Sequence, residues 1–250
     1  MTMCQYSLGF NLKLTAVLND LVWINLVATR SRSTDEKRLR RESILDAAEQ
    51  AFIDRRFDKA SMGSIASSAG LSRALLYVYF RDKEDIHLGL SVRAAKRLLT
   101  LMADFSSPCP NGISSMYAIG QAYLYFYHNE KEYFRILTLS AGMRPSANQT
   151  GADSTDSERE YIQIDEDILE LMVNAIQRAY DDRSLQLPGT PNPVEVALYM
   201  RGSLHGLIML QDGNRSLFEA HKVTPETWLE NSLNMIARSL TQPVPPDTTK

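Results

Sequence analysis

The sequence has few cysteines and histidines, and it lacks any long uninterrupted apolar run. Its 250 residues include two cysteines, Cys4 and Cys109, and four histidines. Two cysteines exclude a disulfide scaffold and a four-thiolate zinc site, and the scattered histidines argue against a metal site. The longest apolar stretch, residues 12–28, is broken by two charged residues and two asparagines, which excludes a bilayer-spanning helix. With 44% apolar and 23% charged residues, the composition is typical of a globular protein. We expect it to be cytoplasmic and to need no cofactor.

Charge is divided unevenly along the chain. The net charge of −3 combines a neutral segment 1–29, a segment 30–100 with a net charge of +5 and a segment 101–250 with a net charge of −8. A basic segment joined to an acidic one is typical of a protein in which one part meets a polyanion and the other does not. Chance is the alternative, and charge alone does not decide between the two.

Hydrophobic periodicity is helical nearly everywhere, and no stretch sustains the alternation of a strand. The predicted fold is therefore all-α, with short helices first and long ones after. Proline and glycine predict breaks at 106–112 and 187–193, and composition predicts a mobile loop at 144–157 and a disordered tail at 242–250. The predicted helices are 36–55, 61–69, 73–80, 82–105, 113–128, 130–141, 158–182, 194–211 and 225–240.

The two shortest predicted helices fit a helix-turn-helix. Ser61 and Ser72 are placed to cap them, and Gly70 ends the first one. The second helix has one face that points into the protein and one that points outward. The side chains of the outward face form a surface that is small enough to approach base edges and phosphates. The inward residues are Leu76 and Phe80, and the outward residues are Arg73, Ala74, Leu75 and Tyr77.

More than a dozen positions around this motif fall into one register. They are Ile44-Leu45-Asp46-Ala47-Ala48, Phe52, Ser61-Met62, Ile65-Ala66, Ala69-Gly70-Leu71-Ser72, Leu76-Tyr77, Tyr79-Phe80 and Lys83-Glu84. Together they resemble the DNA-binding domain of the TetR (tetracycline repressor) family over roughly residues 38–98, with the helix-turn-helix at 61–80. So many positions in one register make the resemblance specific.

The resemblance implies roles for individual residues. The second short helix would be the recognition helix, in which Arg73, Ala74 and Leu75 face bases. Contacts with the DNA backbone are implied for Ser61, Tyr77, Tyr79 and Lys83. For the two tyrosines, half-buried packing is the alternative. A basic arm is a further candidate for phosphates or a minor groove, or else a solvated charge run. It consists of Arg30, Arg32, Lys37, Arg38, Arg40 and Arg41.

The sequence departs from the family pattern at two positions. Arg56 stands where the family usually turns the first helix with glycine, which places a Cβ at an expected left-handed position. Leu75 stands where threonine or a similar small residue is common. The lost hydroxyl suggests apolar contact, for example with a thymine methyl group, so the operator sequence cannot be copied from relatives.

The resemblance also implies that the C-terminal helices, 99–241, hold an effector pocket and a dimer interface. Aromatic residues are concentrated between Tyr117 and Phe134, and apolar residues of other helices could complete a cavity with a few polar tips. An ordinary core is the alternative for each of them. The candidate pocket residues are Tyr123, Phe126, Tyr127, Leu171, Met172, Ile176, His205 and Met209.

Two glycines four residues apart in the stretch 199–210 let another helix approach closely. With the last helix, this stretch resembles the family's two-helix dimer contact, a four-helix bundle across a two-fold axis. Such a dimer would set two recognition helices about 34–36 Å apart on a palindromic operator. The candidate interface residues are Met200, Gly202, Ser203, Leu204, Gly206, Leu207, Trp228, Leu229, Leu233 and Ile236.

No catalytic motif stands out. The acidic cluster Asp165-Glu166-Asp167 with Glu170 lacks a histidine and indicates a solvated helix face, and glycine-rich nucleotide loops and hydrolase motifs are absent from the sequence. We expect a homodimeric transcriptional regulator without enzymatic activity or a membrane partner, a repressor released from double-stranded palindromic DNA by a small, largely apolar effector. The alternatives are an activator, a regulator with a protein effector, and an all-α ligand carrier or enzyme with a vestigial DNA-binding domain.

Residues 1–35 precede the resemblance and form an N-terminal extension. The apolar character of residues 1–29 suits neither a signal peptide nor a flexible arm. One hypothesis is that translation starts near Val27, and its rival is an extra helix that packs on the protein. Detection of Met1 by mass spectrometry of the native N-terminus would exclude the first.

Overall fold

The computed structural model describes residues 35–54, 59–139 and 154–241. Every long regular element in these ranges is an α-helix, which confirms the predicted all-α fold. None of the described helices is both long and apolar enough to cross a membrane. The helices are α1 (35–53), α2 (Met62–Ser68), α3 (Arg73–Tyr79), α4 (Lys83–Ser106), α5 (Gly112–Asn129), α6 (Lys131–Leu139), α7 (Asp156–Asp181), α8 (Pro193–Gly213), α9 (Arg215–Ala220) and α10 (Pro225–Thr241).

The chain divides into two compact units between Tyr79 and Phe80. In the N-terminal unit α2 packs against α3. The core residues of this unit recur at helical spacing on α1, as the apolar stripe of the sequence predicts. They are Ile44, Leu45, Ala48 and Phe52 on α1, Met62, Ile65 and Ala66 on α2, and Leu76 on α3.

The C-terminal unit is built around three long helices, α4, α5 and α7, which pack on one another. Helix α6 packs on α4 and α5, α8 packs on α7, and α10 packs on α8 and α5. The N-terminal half of α4 is buried nearly all round, with Ile86, Leu90 and Ala94 fully covered. Helix α4 is therefore a core element of this unit.

Two glycines of α5 permit close approaches between helices. A Cβ on Gly112 would lie 2.1 Å from the backbone nitrogen of Ala179, so the start of α5 can pack against α7 at this distance only without a side chain. The Gly112 N–H also donates to Oδ2 of Asp182 (2.7 Å). A Cβ on Gly120 would lie 2.6 Å from Cδ1 of Leu233, which brings α10 close to α5 in the same way.

The described helix boundaries agree with the prediction to within about two residues, and the start of α7 and the extra helix α9 are the informative differences. Helix α7 begins at Asp156, inside the predicted loop 144–157, because Thr155 and Glu158 form a capping box. Helix α9 was not predicted, and its N-cap Asn214 makes no side-chain capping hydrogen bond. Residues 1–34, 55–58, 140–153 and 242–250 lie outside the described residues, and with them the predicted extension, the rest of the loop and the tail.

Candidate nucleic-acid interface and effector cavity

The start of α2 is fixed by reciprocal hydrogen bonds between two serines. Oγ of Ser61 accepts from the backbone N–H of Ser64 (3.1 Å), and Oγ of Ser64 accepts from the backbone N–H of Ser61 (2.9 Å). This is a capping box with serine in the position that glutamate or glutamine usually takes. The predicted N-cap at Ser61 is confirmed.

The turn from α2 to α3 is a Schellman motif centred on Gly70. The Gly70 N–H donates to the carbonyl oxygen of Ser67 (3.1 Å), and the next N–H donates to that of Ala66 (2.8 Å). Gly70 has a φ of +68°, where a Cβ would be strained. Ser72 then caps α3, because its Oγ accepts from the N–H of Leu75 (3.2 Å). Both helix ends at the turn are thus satisfied.

Helix α3 presents most of its surface to solvent. Of its seven residues only Leu76 is buried. Val78, which the sequence interpretation left out, is 69% exposed; its position four residues after Ala74 is the signal that places it on the outward face. The exposed residues of α3 are Arg73, Ala74, Leu75, Tyr77 and Val78, and they include every predicted base-facing residue.

Arg73 and Tyr77 are joined across one turn of α3. Nη2 of Arg73 donates to the hydroxyl of Tyr77 (3.2 Å), and its Cζ lies 5.7 Å from the ring centroid. A planar guanidinium held near an aromatic ring keeps donors free for an anion, because it carries five N–H groups. The pair can therefore offer a cation and a hydroxyl together.

A model of the family described as bacterial regulatory proteins, tetR family, matches residues 44–89, which include α2, the Gly70 turn and α3. Residues 44–89 therefore form a DNA-binding domain of the tetR type. That resemblance, read from the residues around the helix-turn-helix, is confirmed.

Relatives of known class match a minor part of the chain. The HTH-type transcriptional repressor BepR of Brucella suis biovar 1 (strain 1330) is 37% identical over 73 residues, which are 28% of this chain and 35% of BepR. The HTH-type transcriptional activator FasR of Mycolicibacterium smegmatis (strain ATCC 700084 / mc(2)155) is 26% identical over 98 residues, 39% of this chain and 45% of FasR. The matched part of the chain therefore spans less than half the length of either relative.

The TetR-like fold extends beyond the matched domain. The crystal structure of the TetR family transcriptional regulator PfmR from Thermus thermophilus superposes with a TM-score of 0.53 and 16% identity. The superposition covers 80% of this chain and 99% of PfmR. At this identity the likeness concerns the fold alone.

The other predicted DNA contacts lie in different environments. Tyr79 and Lys83, the latter at the first position of α4, are half-buried. Arg41 was predicted to belong to an arm that follows phosphates, but its side chain is buried, at 7% exposure. A buried guanidinium does not reach a phosphate. Lys37, Arg38 and Arg40 are exposed on α1, whereas Arg30, Arg32 and Arg56 lie outside the described residues.

The C-terminal unit contains a mostly apolar cavity of about 400 Å³, which we call the α7 cavity. Residues of α4, α5, α6, α7, α8 and α10 line it, so most long helices of this unit contribute. A cavity of this size, between helices of a bundle, suits a small organic ligand. Its apolar lining includes Leu98, Met102, Ile119, Ile168, Met172 and Leu233.

Two polar pairs interrupt the apolar lining of the α7 cavity. The Tyr123 hydroxyl lies 2.8 Å from Nδ1 of His205, and Nη2 of Arg201 donates to Oδ1 of Asp165 (2.6 Å). Asp165 belongs to the acidic cluster that was interpreted as a solvated face, yet it lines the cavity beside Arg201. The sequence interpretation missed Arg201, because a single arginine in an apolar helix has no distinguishing pattern.

Three of the predicted pocket residues, Tyr123, Met172 and His205, line the α7 cavity. The other five do not. Phe126 and Ile176 are core residues, each at most 1% exposed. Leu171 is half-buried and does not line the α7 cavity. Tyr127 and Met209 line a separate cavity, formed by α5, α6, α8, α9 and the start of α10, which we call the α9 cavity.

An apolar face of α8 is exposed on the chain. Leu198 and Tyr199 are 54% and 48% exposed, and Gly202 and Gly206 follow on the same face. A Cβ on either glycine would meet nothing within 4 Å. The two predicted glycines thus leave room for another helix, and Leu198 and Tyr199 extend the surface beyond the predicted set.

The remaining predicted interface residues are less accessible. Three of them are buried within the chain: Leu204, Leu229 and Leu233, at 4%, 0% and 5% exposure. A partner cannot reach these side chains, so their position differs from the predicted role in an interface. The half-buried members are Met200, Ser203, Leu207, Trp228 and Ile236.

Proposed function

We propose that the protein is a homodimeric TetR-type transcriptional repressor that reads a palindromic operator with α3 and binds a small, largely apolar effector in the α7 cavity. It would act in the cytoplasm, where the operator DNA lies. The observation that carries the proposal is the outward surface of α3, where a cation, a hydroxyl and apolar side chains stand exposed on a helix whose entry turn is fixed at both ends.

The chemistry of this surface suits the major groove. Arg73 in the first turn of α3 can reach a guanine edge or a phosphate, and Leu75 can contact a thymine methyl group. The N-terminal residues of a recognition helix are those that contact base edges. Arg73 stands at that end of α3.

The exposed face of α8 supports the homodimer. An apolar surface with two open glycines permits close packing of helix against helix, and a second copy of the same face completes a two-fold bundle. Two copies are also what a palindromic site requires, since each half-site takes one recognition helix.

The α7 cavity supports the effector site. Its lining is mostly apolar, and the Tyr123–His205 and Arg201–Asp165 pairs would orient a ligand that carries one or two polar groups. By linkage, effector and operator weaken each other's binding by the same factor if the two states differ in affinity.

The test is fluorescence anisotropy of the purified protein on DNA flanking its own gene, with random duplex as competitor, at two salt concentrations. Competitor-resistant binding that weakens steeply with salt is expected. If the flanking DNA fails, selection from a random duplex library supplies the operator. No enrichment over several rounds would contradict DNA recognition and favour a ligand carrier.

The sign of regulation needs a separate measurement, because BepR is named a repressor and FasR an activator. In vitro transcription from a promoter that overlaps the selected operator should fall when the protein is added. A rise would contradict repression and leave DNA recognition intact.

A further inference from the structure

The α9 cavity is larger than the α7 cavity and has a different lining. Its volume is about 720 Å³, against about 400 Å³ for the α7 cavity. Of the lining residues only Phe134 and Thr138 belong to both. A ligand in one cavity therefore meets a set of groups that the other does not offer.

The apolar part of the α9 cavity is aromatic. Phe134 and Phe218 are each 6% exposed, and the Tyr127 ring packs edge-on against Phe134 with a centroid distance of 5.0 Å. Met209, which lines the same cavity, is 39% exposed. Such a wall binds a flat apolar ring, and aromatic faces attract a cation.

The α8 wall of the cavity offers two acceptors, Oε1 of Gln211 and the carboxylate of Asp212. The Tyr127 hydroxyl donates to Oδ1 of Asp212 (2.5 Å) and accepts from Nε2 of Gln211 (3.1 Å), so its hydrogen is already engaged. Gln211 is 8% exposed, and its Oε1 accepts no hydrogen bond from any described residue. A buried acceptor without a donor is costly, and a ligand N–H group would satisfy it.

Both acidic and basic residues line the α9 cavity. Asp212, Glu219 and Glu226 line the cavity from α8, α9 and α10. Burial, together with the hydrogen bond to Asp212 and the charge of that carboxylate, raises the pKa of Tyr127 to about 12. The basic lining residues are His128, Lys131, Arg135 and Arg215, of which the first three stand on α5 and α6.

The basic residue with the clearest partner is Arg135. Its Nε and Nη2 donate to Oε2 of Glu132 (3.0 and 2.7 Å), which offsets its charge. On α8, Oε1 of Gln211 lacks a donor and the carboxylate of Asp212 is adjacent to it in sequence, so this wall suits a cation that carries N–H groups.

We propose that the α9 cavity binds a small aromatic ammonium compound, with its ring against Phe134 and Phe218 and its ammonium group toward Gln211 and Asp212. This second ligand site does not depend on whether the protein represses transcription. Three features of the cavity define the ligand class. The aromatic wall takes a flat apolar ring, Gln211 takes a hydrogen-bond donor, and Asp212 takes a positive charge.

Three probes of one shape separate these requirements. Tryptamine carries an indole ring and an ammonium group, tryptophol replaces the ammonium with a hydroxyl, and indole-3-propionate replaces it with a carboxylate. Isothermal titration of the full chain without DNA should show saturable binding of tryptamine. Tryptophol should bind about tenfold more weakly, and indole-3-propionate should not bind measurably.

Three variants place the site. Gln211→Leu removes the buried acceptor, and Asp212→Asn removes the charge from an exposed position where folding is not at risk. Either change should weaken tryptamine binding about tenfold. Asp181→Asn removes a surface carboxylate of α7, outside the cavity lining, and should leave binding unchanged. Circular dichroism confirms that each variant is folded.

Three results would overturn the inference. The first is equal binding of all three probes, which would indicate a merely apolar site. The second is tryptamine binding that Asp212→Asn leaves intact, and the third is no tryptamine binding at all. Because no DNA is present, none of these results bears on operator recognition.

Discussion

The hydroxyl of Thr155 donates a hydrogen bond to Oδ1 of Asp85 (2.7 Å) and accepts one from the backbone N–H of Glu158 (3.2 Å). One side chain thus caps α7 and ties it to a carboxylate near the start of α4. Asp85 is 4% exposed, and its other oxygen accepts from the Arg81 N–H (2.9 Å), so the buried charge has partners on both oxygens. The first turns of α4 and α7 are held together by this hydroxyl.

Thr155→Val should lower the free energy of unfolding by about 1–3 kcal/mol, because it removes a helix cap and leaves one oxygen of Asp85 without its donor. Thr155→Ser keeps the hydroxyl and should cost much less. Urea unfolding followed by circular dichroism measures both. Equal midpoints for the valine variant and the unchanged protein would show that the hydroxyl contributes nothing.

Arg73→Ala should weaken operator binding by about 1–3 kcal/mol, since it removes the cation of the outward α3 surface. Tyr77→Phe keeps the ring and removes the hydroxyl that accepts from Arg73, so a smaller loss is expected. Anisotropy on the selected operator gives both values. Arg159→Ala, a surface arginine of α7, serves as control; an equal loss there would indicate a nonspecific effect of charge.

Gly70→Ala should destabilise the helix-turn-helix by about 1–2 kcal/mol, because alanine at a φ of +68° is strained even where space is open. Gly63→Ala is the matched control in α2, where a Cβ would lie 3.7 Å from Oγ of Ser61, an ordinary contact. It should stabilise by about 0.5 kcal/mol, since alanine loses less conformational freedom than glycine when it enters a helix. Opposite shifts in the thermal unfolding midpoint are the expected result. Shifts of the same sign would contradict the strain argument.

Gly206→Gln should abolish the homodimer while leaving the single chain folded. A Cβ at this position meets nothing within 4 Å of its own chain, so any clash must come from a partner. Light scattering after size exclusion gives the mass, and circular dichroism gives the fold. Ser67→Gln, an exposed change on α2, is the control. A Gly206→Gln dimer as stable as the unchanged protein would remove α8 from the interface.

Tyr127 should ionise late and make stability depend on alkaline pH. Burial and Asp212 raise its pKa to about 12, so between about pH 10 and 12 the folded chain keeps a proton that the unfolded chain releases. The free energy of unfolding should therefore fall as pH rises through this window, and Tyr127→Phe should reduce that fall. Near-ultraviolet absorbance of the phenolate, as a difference between the two proteins, isolates this tyrosine from the other ten.

Local signals predicted the helix-turn-helix well. Ser61, Gly70 and Ser72 each act through hydrogen bonds to their own backbone neighbours, so the chain within a few residues determines the structure. The start of α7 carried the same kind of signal in Thr155 and Glu158, but the polar run before it hid the capping box. Helix α9 has no side-chain cap at all, and a short helix held by tertiary packing leaves little trace in the sequence.

The cavities could not be predicted in the same way. Tyr123, Phe126 and Tyr127 share a face of α5 by spacing, yet at about 100° per residue Phe126 and Tyr127 diverge to opposite sides of Tyr123. Each therefore meets different helices: Tyr123 lines the α7 cavity, Phe126 is in the core, and Tyr127 lines the α9 cavity. Periodicity identifies a face, whereas the neighbours of that face depend on packing between distant segments.

Gly120 and Leu233 form a wall of the α7 cavity in which the Leu233 side chain has no room to rotate toward α5. Both residues line it, and Cδ1 of Leu233 already occupies the space that a Cβ on Gly120 would need. Leu233 therefore cannot swing toward α5 to make room. A ligand with a larger group on this side must therefore displace helix α10. A smaller ligand would leave α10 in place, so ligand size on this side determines whether the helix moves.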